Sequence, residues 1–170
     1  MRILEAARAL FCERGNDVQI EEVARAAGVG IGTLYRHFPT KEAMIEATAD
    51  LRFEESVEFA RCQTLKNDDP WDALVQILHH CGEGVSRDRG FCMVVETMMG
   101  SNEPNSEFQA QFEEVVSDLL QRGQAAGSIR PEILPSDMYA VSCALAAVIR
   151  YQSGDWRRFL DIILEGLHTH

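Results

Sequence analysis

Residues 20–41 read IEEVARAAGVGIGTLYRHFPTK and gather the side chains with the most evident chemistry. Thr33, Arg36 and His37 fall on one side of a short helical pattern whose other side is Leu34 and Phe38. They are hydrogen-bond donors of the kind that meet phosphates and base edges. Gly30, Ile31 and Gly32 come just before them, and the two glycines let a backbone approach a partner closely. Tyr35 can pack its ring and still turn its hydroxyl towards a phosphate. Lys41, with the free N–H groups at the start of the following helix, offers a second anion site. Two residues carry a second reading. Ile31 suits a core position as well as a groove contact, and His37 suits a cap or the core as well as a phosphate donor.

To aim these groups at one partner, the chain must hold two short helices at a fixed angle. The apolar spacing predicts a helix over Ile20–Ala27, with Ile20, Val23, Ala24 and Ala27 on one face, and another over Ile31–His37, with Ile31, Leu34, Tyr35 and Phe38. Gly28 closes the first and permits a left-handed turn. Pro39 closes the second. An earlier helix over Arg2–Arg14, with Ile3, Ala7, Leu10 and Phe11 in line, supplies a third packing face. Together these make a helix-turn-helix, a shape that also occurs as a plain packing unit. Gln19 is a poor N-cap, so Asp17 is expected to cap the second helix, with Gly30 capping the third.

The chain has 170 residues and a net charge of −11, which looks wrong for a partner of nucleic acid. Its distribution matters more than its sum. Residues 1–48 carry six basic and seven acidic groups, while residues 49–170 carry ten and twenty. Residues 23–41 contain Arg25, Arg36 and Lys41 and no acid at all. A small, nearly neutral segment that can meet a polyanion is thus followed by a larger acidic one.

That larger part is helical throughout. The patterns predict helices over about 40–61, capped by Thr40, and from Pro70 through about Val85, capped by Asp69 with Pro70 in its first turn. Others follow over about 90–99, 106–126, 136–152 (capped by Ser136) and 155–167. Residues 65–70 and 100–105 read as loops. Five cysteines at irregular spacing argue against a disulfide framework. No apolar run reaches the roughly 20 residues that span a bilayer, and no cleavable leader is evident, so a cytoplasmic protein without a membrane partner is expected.

The Gly32-Thr33-Leu34-Tyr35-x-His37-Phe38 core is specific. With Ala6-Ala7, Leu10-Phe11, Gly15, Ile20, Val23-Ala24, Ala27-Gly28-Val29 and Lys41-Glu42, residues 3–47 resemble the DNA-binding domain of the TetR family of bacterial transcriptional regulators. The resemblance implies an all-α protein of about nine helices. A three-helix helix-turn-helix domain would occupy residues 1–47, and a larger helical effector-binding and dimerisation domain residues 48–170. It implies a repressor, not an enzyme, released from a palindromic operator by a small molecule. DNA contacts would come from Gly30, Ile31, Gly32, Thr33, Tyr35, Arg36, His37 and Lys41. Family members usually carry Ser or Thr where this chain has Gln19 and Gly30, and a polar residue is common at Ile31.

Between Met138 and Ile149 only Ser142 is clearly polar. A helix apolar nearly all round must be covered all round. It is either a central core helix or, with Trp156–Leu167, one half of a two-fold homodimer interface. Phe59, Leu78, Phe91, Met98, Phe108, Phe112 and Tyr139 supply the deformable apolar lining that a hydrophobic effector would need, though each also fits an ordinary core. No cofactor or resident metal is implied. The alternative is a metal- or thiol-responsive regulator built on Cys62, Cys81, Cys92, His79, His80 and Glu96.

Overall fold

A computed structural model of the chain describes residues 2–100 and 106–169. Along the chain come α1 (Arg2–Arg14), a 3-10 turn (Gly15–Asp17), α2 (Ile20–Ala27), α3 (Ile31–His37), α4 (Lys41–Lys66), α5 (Pro70–Arg87), α6 (Arg89–Met99), α7 (Ser106–Ala125), α8 (Pro135–Tyr151) and α9 (Trp156–Leu167). Among the described residues, the only extended pairing is an isolated bridge between Ile129 and His168. The all-α class follows from apolar faces that repeat at helical spacing throughout.

The helix ends show which local rules decide. Asp69 Oδ1 accepts the Trp71 N–H at 2.9 Å, as a cap before Pro70 should. Two expected caps are corrected. Asp17 lies in the 3-10 turn, and the residue preceding α2 is Gln19, whose backbone N–H donates to Glu22 Oε2 at 2.9 Å. Ser136 is likewise already inside α8. The Leu134 N–H donates to Asp137 Oδ2 at 2.9 Å, and Pro135 takes the first helical position. In both places the acid three residues on reaches back and replaces the missing Ser or Thr. Helix α4 continues past the expected end near residue 61 through Leu65 and Lys66. Arg122 on α7 donates to the carbonyls of Thr64 at 2.7 Å and Asn67 at 3.0 Å, so a tertiary contact satisfies a helix end that its polar sequence disguises. The expected loop over 100–105 lies, apart from Gly100, outside the described residues.

The chain forms two compact units. One comprises Met1–Phe53 and Arg87–Glu103, the other Glu54–Ser86 and Pro104–His170. The first is therefore larger than residues 1–47, because it takes α4 as far as Phe53 and all of α6. Its core joins Phe11, Val23, Leu34, Met44, Ile45 and Phe91. Helix α6 reaches that core because Gly90 has no side chain. A Cβ there would stand 3.0 Å from Cys12 Cα and closer still to its carbonyl oxygen. Asp88 is buried beside it, 3.9 Å from the Arg8 guanidinium and 3.5 Å from that of Arg87.

In the second unit, α5 and α9 meet where Gly82 faces Trp156; a Cβ on Gly82 would lie 2.5 Å from the indole. The residues at the end of α9 pair back onto 128–130, with the Arg130 N–H donating to the Leu167 carbonyl at 3.1 Å. Helix α8 buries Met138, Leu145 and Ile149, whereas Ala140 and Ala144 stay exposed. Ile162 on α9 is 59% exposed.

Two glycine substitutions test this packing in opposite directions. Gly90→Ala is expected to destabilise the protein by about 1–3 kcal/mol, since backbone atoms must move to admit the methyl. Gly84→Ala, inside α5 with nothing within 4 Å of the new atom, should stabilise it by up to about 1 kcal/mol. Urea unfolding midpoints of the two variants give the comparison.

Candidate nucleic-acid interface

Helix α3 is placed by its apolar side. Leu34 is fully buried, and Phe38 and Val29 pack against the same core. The turn before it is closed by Gly28 at φ +68°, a left-handed conformation that costs other residues more. The Gly28 N–H donates to the Arg25 carbonyl at 3.1 Å and the Val29 N–H to the Ala24 carbonyl at 3.0 Å. Gly30 then starts α3, its carbonyl accepting from Thr33 and Leu34 at 2.9 and 3.1 Å.

With one side of α3 fixed in this way, the other is left to solvent. Ile31, Gly32, Tyr35, Arg36 and His37 are exposed and Thr33 is half-exposed. Ile31, at 41% exposure, and Tyr35, at 42%, are among the large apolar or aromatic side chains most open to water. The core reading of Ile31 and His37 is thereby removed. A Cβ on Gly32 would meet nothing within 4 Å, and one on Gly30 only the Thr33 hydroxyl, at 3.9 Å. The tip of α3 is open ground.

Lys41 is only half-exposed. Its ammonium lies 2.5 Å from the Asn16 carbonyl and 5.6 Å from the centroid of the Phe11 ring. One of its three donors is thus committed within the unit, and the charge sits at the start of α4. Thr40 Oγ1 accepts the Ala43 N–H at 3.1 Å and caps that helix.

Sequence reasoning missed the ties that hold α2. Arg14 donates to both Glu22 carboxylate oxygens, at 2.7 and 3.1 Å. Those bonds, with the one from the Gln19 N–H, hold the Glu22 carboxyl below its ordinary value and raise the Arg14 guanidinium above its own. At the other end, Arg2 donates to the Ala27 carbonyl at 3.1 Å. The Gln19-x-x-Glu22 spacing was readable as a reciprocal cap; the two arginines had no local cue.

The residues expected to line an effector site do not all come together. Phe91 is fully buried in the first unit, its ring centroid 6.2 Å from that of Phe11, and Met98 packs against the same core. Both were expected in the effector-binding part and belong instead to the unit that carries α3. The second unit holds Phe59, Leu78, Phe108, Phe112 and Tyr139. Leu78 and Phe112 are buried, and Phe59 stacks on His80 with centroids 3.7 Å apart. The cysteines are divided too. Cys12 and Cys92 lie in the first unit, Cys62, Cys81 and Cys143 in the second. Burial pushes the Cys12 thiol up. Among the described residues, no three His, Cys, Asp or Glu side chains converge as a metal site would require.

Known proteins share this arrangement. Residues 3–48 match the family described as bacterial regulatory proteins, tetR family. Residues 69–169 match the family described as transcriptional regulator SbtR-like, C-terminal domain. The chain is 30% identical over 130 residues to the nucleoid occlusion factor SlmA of Marinobacter nauticus, across 74% of this chain and 66% of that protein. It is 27% identical over 140 residues to the transcriptional repressor KstR2 of Mycolicibacterium smegmatis, across 77% of this chain and 67% of that one. The chain thus spans about two thirds of the length of these curated relatives. Among solved structures, the TetR transcriptional regulator SCO0520 of Streptomyces coelicolor superposes with a TM-score of 0.75 at 30% identity, over 99% of this chain and 97% of that one. The chain belongs to the TetR family of bacterial transcriptional regulators, a family of DNA-binding proteins rather than enzymes.

The Arg14–Glu22 pair has a pH signature. A carboxyl whose value is lowered by folding stabilises the fold above its ordinary value of 4.5 and loses that contribution as pH falls through the lowered one. Glu22→Gln should therefore flatten part of the loss of stability as pH falls below the ordinary carboxyl value of 4.5. Urea midpoints of the two proteins across that range would show it; parallel curves would remove the pair from the account.

Proposed function

We propose that this protein is a cytoplasmic transcriptional repressor that lays α3 in the major groove of a palindromic operator as a homodimer and leaves it when a small hydrophobic molecule binds the second unit. The observation that carries the reading is the division of α3: Leu34 sealed in the core, Tyr35, Arg36 and His37 open to solvent, and no acid anywhere in residues 23–41. Gly30 and Gly32 let the tip of the helix approach the duplex. Thr33 and Ile31 face base edges and thymine methyls. Tyr35, Arg36, His37 and Lys41 meet phosphates, Lys41 with the donors not used by Asn16.

The dimer is supported by what α8 and α9 leave bare. Ala140 and Ala144 on α8 and Ile162 on α9 lie outside the core of a single chain, and a second copy would cover them. Two recognition helices related by that axis would read half-sites one turn of DNA apart. For the effector, the aromatic residues of the second unit are the candidates: Phe59, Leu78, Phe108, Phe112 and Tyr139. Phe91 and Met98 are set aside because they serve the other core. Repression is supported by the similarity to KstR2, itself a transcriptional repressor.

Selection of duplexes from a random pool, followed by titration at several salt concentrations, tests the reading. Tyr35→Phe and Lys41→Ala should weaken binding to all duplexes, and Lys41→Ala should lessen the salt slope by about one. Thr33→Ala should change which sequences are preferred while leaving the slope in place. Equal loss on selected and scrambled duplexes would remove Thr33 from base recognition. Ile162→Glu should convert a dimer into a monomer by sedimentation; a wild-type monomer at micromolar concentration would overturn the interface.

A further inference from the structure

The DNA contacts proposed above sit on α3 and the start of α4, and α3 is joined to the end of α2 by a short turn. The turn between them is three residues long, and two of the three are glycines, which bring no side chain to hold it. The Arg2 guanidinium fills that role from elsewhere in the chain. Its Nη2 donates to the Ala27 carbonyl at 3.1 Å, across 25 residues of sequence. The same nitrogen lies 3.3 Å from the position a Cβ on Gly28 would take. A cation at the carbonyl end of a helix is favoured by the helix dipole as well as by the bond itself. At the opposite end of α2, Arg14 holds Glu22, and Glu22 in turn holds the Gln19 N–H. Helix α1 therefore carries an arginine near each of its ends, and each satisfies one end of α2. A charge that would otherwise be counted among phosphate donors is spent on the protein's own backbone.

We propose that Arg2 is a positioning residue for DNA recognition: bound to the Ala27 carbonyl, it fixes the turn from Gly28 to Gly30 and so the presentation of α3, without itself contacting phosphate. This rests on the reading of α3 as the recognition helix. A positioning residue and a phosphate contact differ in what their loss does. Loss of a phosphate contact weakens binding to all sequences alike and lowers the salt slope by about one. Loss of positioning keeps the slope and reduces the preference for the right sequence, because base-edge contacts need closer geometry than phosphate contacts.

The test compares the full chain with Arg2→Ala and Arg2→Lys. Amide hydrogen exchange is followed at Gly28, Val29, Thr33 and Leu34, all of which donate backbone bonds in or beside the turn. Binding is measured to a 30-base-pair duplex that the wild-type chain selects from a random pool, and to its scrambled counterpart, over a range of salt. For Arg2→Ala the expected result is exchange about tenfold faster at those four amides, with the α7 amides unchanged. The ratio of affinities for selected over scrambled duplex should fall about fivefold at an unchanged salt slope, and Arg2→Lys should recover most of the ratio. Should Arg2→Ala fail to fold, as judged by circular dichroism, Arg2→Gln takes its place. Unchanged exchange at the four amides overturns the proposal. So does a salt slope lowered by about one with the ratio intact, which would make Arg2 a phosphate contact. If the wild-type chain selects no duplex, the DNA reading fails by itself, and the exchange comparison still decides whether Arg2 holds the turn.

Discussion

Phe11 is the side chain around which the first unit is built. It is fully buried on α1, with Phe91 of α6 at 6.2 Å on one side and the Lys41 ammonium 5.6 Å from its centroid on another. One ring on the helix that braces α2 thus meets the helix that arrives from far along the sequence and the first residue of α4. Phe11, Leu34, Met44 and Phe91 share one core, so the three-helix element has no core of its own independent of α6. A short helix such as α3 has little intrinsic stability. Its orientation is borrowed from that shared core and from the turn that Gly28 closes.

The electrostatics of the chain make sense only locally. The whole molecule is strongly acidic, but the exposed side of α3 carries Arg36, His37 and the hydroxyls of Thr33 and Tyr35, with no carboxylate in residues 23–41 to oppose a phosphate. The acid just before this stretch is occupied: Glu22 is held by Arg14 and by the Gln19 N–H. Pairing that acid, at the start of α2, with an arginine offsets one negative charge beside α3 in a chain whose net charge is −11.

What could be read in advance, and what could not, follows from the range of the interactions concerned. The limits of α1, α2 and α3 were set by apolar spacing, by Gly28 and by Pro39, all local, and they fall where expected. So does the solvent face of α3, because Leu34 and Phe38 leave only one side for Thr33, Arg36 and His37. The caps at Gln19 and Leu134 rest on acids three residues later, Glu22 and Asp137, and not on the Ser, Thr or Asp types favoured at the cap position itself. Helix α4 outruns its expected end because its terminus is completed by Arg122, more than fifty residues away. The membership of α6 in the first unit turns on Gly90 meeting the backbone of Cys12. Phe91 and Met98 looked like cavity lining for the same reason: an apolar stripe declares that it will be buried, but not against what.

At Gly30 and Gly32 the fold leaves room for a side chain to begin. Gly30 has an ordinary φ of −68°, and neither position has a neighbour that a methyl group would strike. At Gly28 and Gly90, by contrast, backbone conformation or packing forbids a larger residue. Two kinds of glycine therefore stand within one small unit, and they answer to different judges. A survey of variants scored by cellular abundance would flag Gly28 and Gly90 and pass over the pair at the helix tip.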